Sequence, residues 1–240
     1  MTLIIAIPTK NSVVFSSDSQ ITIGEVRASG KKIYKLNNRC LWGASGVLSL
    51  AQRFRDTINN SANQSGSLAE LRDNLARIIC DITGNLINLD YRTKFYMNDP
   101  ENLINLYPAD FLFVECLENK SPTILHMSSF GNSEWVENRF AATGNGSSFA
   151  LALLQKYSSL LNNSNTLSLT TETAKLLAYK VIEESIQVGS YGLGGPINMW
   201  EITNASGETS IKEASESEIA ALEDAARTLR EKEVDMLVNN

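Results

Sequence analysis

The first eighteen residues constrain this 240-residue chain more than any other stretch. Leu3-Ile4-Ile5-Ala6-Ile7 and Val13-Val14-Phe15 are two apolar runs around the polar turn Thr9-Lys10-Asn11-Ser12, a pattern that reads as a β-hairpin. Ser16-Ser17-Asp18-Ser19 follows the second run, so the hairpin ends by delivering a carboxylate. At its other end stands Thr2, one cleavable methionine away from being the terminal residue. Methionine aminopeptidases remove Met1 when the next side chain is as small as threonine, which leaves a free amine on Thr2.

The rest of the chain alternates groups of strands with pairs of helices. Gln20 to Gly24 reads as a turn-rich connection, and Gly30 to Leu36 with Cys40 to Ala44 as a second hairpin that ends at Ser45-Gly46. A helical pattern runs from Val47 to about Ile58. Ser67 and Glu70 then form a capping box for a long helix carrying Leu68, Leu71, Leu75, Ile78, Ile79, Ile82, Leu86 and Leu89. Residues 91–108 show no sustained period and form an excursion of unassigned role. Phe111 to Cys116 and Thr123 to Met127 read as a strand pair, and Phe140 to Thr143 leads into Gly144-Asn145-Gly146. Ser147 or Ser148 caps a helix through Leu151, Leu154 and Leu160. The next helix carries Ala174, Leu177, Val181, Ile182 and Ile186, and Gly192 to Pro196 introduces a strand from Ile197 to Thr203. A charged helix over 215–236, boxed by Ser215 and Glu218, shows Ile219, Leu222, Ala226 and Leu229 as its apolar stripe. This order suggests a sheet sandwich with helical layers outside it.

Composition narrows the function. A hydrophobic content of 43% suits the core of one large domain, expected over 2–240, and a net charge of -6 argues against nucleic acid and anionic membranes as partners. No apolar run is long enough to span a bilayer, and no signal segment leads the chain, so a cytoplasmic protein is expected. Cys40, Cys80 and Cys116 share no metal-binding spacing and read as buried reduced thiols. The single histidine, His126, sits in a strand-like run, so a general base has to be sought elsewhere.

A terminal Thr2 supplies one. Its hydroxyl serves as nucleophile and its own amine as base, because an α-amino group titrates at roughly 7.7 to 8.0. A nearby cation favours the neutral amine, a carboxylate orients that cation, and backbone N–H groups at a glycine receive an oxyanion. Asp18, Lys32 and Gly46 are candidates for these parts. Each alone has a plainer reading: a turn residue, a solvated charge, a bend.

Their joint order resembles the proteasome β subunits and the related HslV peptidase, which are N-terminal-nucleophile hydrolases. The likeness is carried by Thr2-Leu3-Ile4-Ile5-Ala6, Asp18-Ser19-Gln20-Ile21-Thr22-Ile23-Gly24, Gly30-Lys31-Lys32-Ile33 and Gly43-Ala44-Ser45-Gly46 followed by Ala51-Gln52. Thr143-Gly144-Asn145-Gly146-Ser147 and Gly194-Gly195 are weaker echoes. The resemblance implies an α+β fold, a four-layer αββα sandwich of two antiparallel sheets. It implies Thr2 as nucleophile, Lys32 as the adjacent cation, Asp18 as its holder and the Gly46 backbone as oxyanion donor. Gln20, Ile21, Thr22, Ala44 and Leu48 would line the substrate cleft, with Ile21 and Ala44 shaping an apolar pocket for the side chain before the cut. Asn145 stands where many members have a serine that assists the amine, and the family's following Asp and Ser fall near Ser190 and Leu193, so neither is clearly retained; Asn145, which can still donate and accept hydrogen bonds, and Ser190, after a small loop shift, are the candidates for that support. No metal or cofactor is implied. The implied partners are a polypeptide substrate, copies of the same chain in stacked six- or seven-fold rings, and an ATPase unfoldase. A catalytically silent ring or scaffold subunit is the alternative, which the absence of a segment ahead of the hairpin disfavours, and an amidase acting on a small molecule is a further one.

Overall fold

The computed structural model describes residues 2–23, 25–60, 65–93, 107–118, 120–137, 139–157, 169–189, 192–204 and 208–238. Two five-stranded antiparallel sheets face each other, with helices on both outer surfaces, which is the expected αββα sandwich. The first sheet has the order β10 (Ala141–Thr143), β1 (Ile4–Pro8), β2 (Ser12–Ser17), β11 (Asn198–Thr203) and β12 (Ser210–Glu213). The second runs β5 (Ile33–Lys35), β6 (Cys40–Gly46), β7 (Ala109–Glu115), β8 (Thr123–Ser128) and β9 (Ser133–Trp135).

The unbroken apolar runs of the first hairpin follow from burial on both faces. Ile5, Ile7 and Val14, with Leu3 ahead of them, pack under the helices α3 (Ser147–Gln155), α4 (Thr171–Gln187) and α5 (Glu216–Val238). Ile4, Ala6, Val13 and Phe15 turn the other way and meet Leu41, Leu112 and Val114 of the second sheet. Side chains alternate between faces along a strand, so a strand covered on both sides has no polar position to offer. The second sheet repeats the arrangement. Its outer face packs Trp42, Phe111 and Phe113 against α1 (Leu48–Asn59) and α2 (Leu68–Thr93), with the Phe54 ring of α1 edge-on to Trp42 at 4.8 Å and to Phe111 at 5.0 Å.

Both capping boxes form. Ser67 N–H donates to Glu70 Oε2 at 2.7 Å and Ser215 N–H to Glu218 Oε2 at 2.8 Å. Other expectations are corrected. Gln20–Ile23 is strand β3, paired with β4 (Val26–Ser29) in a two-stranded ribbon, so a third, small sheet accompanies the two large ones. The cap of α3 is Gly146, without a side-chain hydrogen bond, rather than Ser147 or Ser148. Cys80 is exposed, because its helix turns it out to meet the Phe130 carbonyl; Cys40 and Cys116 are buried as expected. Leu229, the last of the expected stripe on α5, is 38% exposed. Most of the 91–108 excursion, Leu160 and Ser190 lie outside the described residues.

One buried acid ties the second sheet to α2. Glu115, at the end of β7, accepts the Leu68 N–H at 3.1 Å and the Cys40 thiol at 3.3 Å. Burial holds its carboxyl above the ordinary carboxylate range, against the pull of the Leu68 N–H. The proton is therefore bound more tightly in the folded state, and the stability linked to it is present below the ordinary pKa and lost as pH rises through the folded one. Glu115→Gln is expected to raise the thermal midpoint at pH 8 and to lose that advantage at pH 4, measured by calorimetry across the range.

Candidate active site

The strand register explains why residues far apart in sequence meet at Thr2. On one rung of the first sheet Thr143, Ile4, Ser17 and Asn198 stand side by side. One step further out, Leu3 lies opposite Asp18. The Asp18 N–H donates to the Leu3 carbonyl at 3.2 Å, and the Leu3 N–H returns a bond to Asp18 Oδ1 at 2.9 Å. On the other side of β1, Gly144 adopts φ +97°, and a Cβ there would overlap the Thr2 carbonyl oxygen. Glycine is needed at that position for its backbone conformation and for its close approach.

Lys32 comes from the second sheet, one residue ahead of β5. Ile33 pairs with Gly43, and a Cβ on Gly43 would press within 3.0 Å of both the Lys32 carbonyl and Ile4 Cδ1, so this glycine lets the lysine segment lie close to β1. The Lys32 ammonium donates to Asp18 Oδ1 at 2.6 Å, with Asp18 fully buried and Lys32 6% exposed. Burial outweighs the attraction of Asp18 and holds the lysine pKa below its usual range.

Asp18 accepts two more bonds on Oδ2, from the Gln20 N–H and the Gly194 N–H, each at 3.2 Å. Four donors therefore meet the roughly four lone-pair sites of one carboxylate. Gly46 ends β6 at φ +99°, in a place where any side chain would overlap the Pro108 carbonyl. Beside it, the Ser45 hydroxyl bonds Thr143 Oγ1 at 2.8 Å and links the two sheets at the mouth of the site.

Thr2, Lys32 and Gly46 line one cleft of about 70 Å³ together with Gln20, Ile21, Thr22, Ala44 and Leu48. Ile21 and Thr22 come from the β3–β4 ribbon, which is why its being a strand matters. Sequence reasoning did not assign Lys31, Tyr34 and Ala51 to this cleft, although all three line it. It also gave Gly194 no role, since only the fold shows the N–H that this residue brings to Asp18. The Gly194-Gly195 echo was the available signal. Asn145 is exposed on the turn after Gly144 and is not among the residues that line the cleft. Among the described residues no group of three or more His, Cys, Asp or Glu side chains is placed to hold a metal ion, and no helix is long and apolar enough to cross a membrane.

Comparison with known proteins agrees with the fold. A family model described as "Proteasome subunit" matches residues 2–199. Proteasome subunit beta 2 of Caldivirga maquilingensis is 27% identical over 186 residues, covering 76% of this chain and 80% of the relative. Among solved structures, Anbu (ancestral beta-subunit) from Yersinia bercovieri superimposes with a TM-score of 0.71 at 13% identity, over 99% of this chain and 97% of the other. The Anbu complex from Pseudomonas aeruginosa, described as a helical assembly, gives a TM-score of 0.75 at 15% identity over 99% and 96%.

Removing the Asp18 carboxylate takes the matching charge from a buried ammonium and the acceptor from the Leu3 and Gly194 N–H groups. Asp18→Ala is expected to lower the unfolding free energy by about 3–5 kcal/mol, the range for breaking a buried ion pair, as read from chemical denaturation.

Proposed function

This chain belongs to the proteasome subunit family, and from that premise we propose that it is a self-assembling threonine-type endopeptidase of the N-terminal-nucleophile class, one domain from Thr2 onward. The observation that carries the reading is the fully buried Asp18 bonded both to the Leu3 N–H, one residue from Thr2, and to Lys32. Cleavage of the Met1–Thr2 bond exposes an α-amine beside this pair. The Thr2 hydroxyl gives its proton to that amine and its oxygen forms a bond to the substrate carbonyl carbon. The protonated amine then passes the proton to the departing peptide nitrogen, leaving an ester on Thr2 that water hydrolyses. Lys32 keeps the amine in its proton-accepting form, and its own lowered pKa lets it share the proton. The Gly46 backbone is proposed as oxyanion donor, and Ile21, Thr22, Ala44 and Leu48 as the walls that receive an extended polypeptide with an apolar side chain before the cut.

Self-association is part of the proposal, supported by the family and by the helical assembly of the P. aeruginosa neighbour; the ring arrangement, the ATPase unfoldase and the cytoplasmic setting rest on the family resemblance alone. One observation favours a second reading, a silent scaffold subunit: Asn145, at the position of a family serine that assists the amine, is exposed.

Intact-mass analysis of protein made in cells is expected to show Thr2 as the terminal residue. Thr2→Ala is expected to reduce peptide turnover at least about 10³-fold, as for other nucleophile removals, with the oligomer unchanged by size-exclusion chromatography. A retained Met1 in an active protein rejects the mechanism, and a wild-type protein inert towards peptides favours the scaffold.

A further inference from the structure

Resting on the peptidase reading, we infer that Gln20 is a positioning residue that holds the Gly192–Gly194 segment against Asp18, rather than a substrate contact. Its place in the cleft wall suggests substrate binding, but its amide nitrogen is engaged elsewhere. Gln20 Nε2 donates to the Gly192 carbonyl at 2.7 Å, across 172 residues of sequence. The rest of the side chain lies flat on Gly194. A Cβ on that glycine would overlap Gln20 Oε1 and come within 3.2 Å of Gln20 Cβ and Cδ.

The backbone completes the clamp. Ser19 N–H and Gln20 N–H both donate to the Gly194 carbonyl, at 3.0 and 3.1 Å, while the Gly194 N–H donates to Asp18 Oδ2 at 3.2 Å. Residues 18–20 and 192–194 thus exchange bonds in both directions. Gly192 sits at φ +60°, in the left-handed region, and Gln20 holds its carbonyl there. The bond at 2.7 Å is the shortest of this set and the only one made by the Gln20 side chain; the bonds to Asp18 Oδ2 are the longest. Losing it loosens the segment at Gly192 first and next the Gly194 N–H, one of the four donors that fix the carboxylate holding Lys32. The consequence falls on the chemical step and not on substrate affinity.

Three variants of the full chain separate the roles. Gln20→Glu keeps the shape but has no hydrogen to donate to a carbonyl. Gln20→Ala removes both shape and donor, and Gln20→Arg restores a donor with longer reach. Hydrogen–deuterium exchange of the peptide containing Gly194 is expected to speed up about two- to tenfold in the Glu and Ala variants, as loss of one hydrogen bond gives, and to return towards wild type with Arg. Peptide turnover is expected to lose kcat about tenfold with KM within about twofold, following exchange across the series. Unchanged exchange with a raised KM and intact kcat overturns the inference and makes Gln20 a substrate contact. The exchange measurement needs no turnover. Faster exchange in the variants of an inert wild-type protein therefore upholds the clamp and rejects the peptidase, whereas unchanged exchange in an active enzyme rejects the clamp alone.

Discussion

The site depends on one carboxylate without access to water. Asp18 joins four parts of the chain through its two oxygens: the start of β1 at Leu3, the lysine ahead of β5, the entry to β3 at Gln20 and the glycine segment at Gly194. A fully buried acid is tolerable only when every lone pair is met and its charge is matched, and the burial of Lys32 beside it supplies the match. The same arrangement gives the cleft its polarity. Burial costs the ammonium part of its hold on the proton, against the attraction of Asp18.

The apolar layers put this polar point where it is useful. Three separate packing zones, one under each helical face and one between the sheets, bury the strands up to the rung of Ile4, Ser17 and Thr143. Beyond that rung the strands of the first sheet end, and Thr2, Asp18 and Gly144 come together with Gly46 of the second sheet at one end of the sandwich, Asp18 still fully buried. Glycines at 43 and 144 allow the two sheets and the turn to close around β1, and Ser45 with Thr143 stitches the sheets at the mouth.

Much of this was legible in the sequence because it is local. The hairpins, both capping boxes and the long helix follow from periodicity and turn chemistry within short windows, and Thr2, Asp18, Lys32 and Gly46 lie in ordered motifs of the first fifty residues. What stayed hidden is long-range or weakly patterned. β9 and β12 are short, with partly exposed sequences that carry no strong alternation. The bond from the Gln20 side chain is not legible because its partner, Gly192, is distant in sequence, and the N–H of Gly194 is a backbone donor that no side-chain motif marks. Cys80 sits in an apolar stretch of a helix whose other side is solvent, so its neighbours in sequence misreport its burial.

The central claim is that this buried pair activates Thr2, and the direct measurement is to locate a covalent adduct. Protein incubated with an electrophilic peptide bearing an apolar residue next to its reactive group, then digested and sequenced by mass spectrometry, is predicted to carry the label on Thr2, with Lys32 unmodified. A label on Ser45 or Lys32 with Thr2 free, in protein from which Met1 has been removed, would contradict the account.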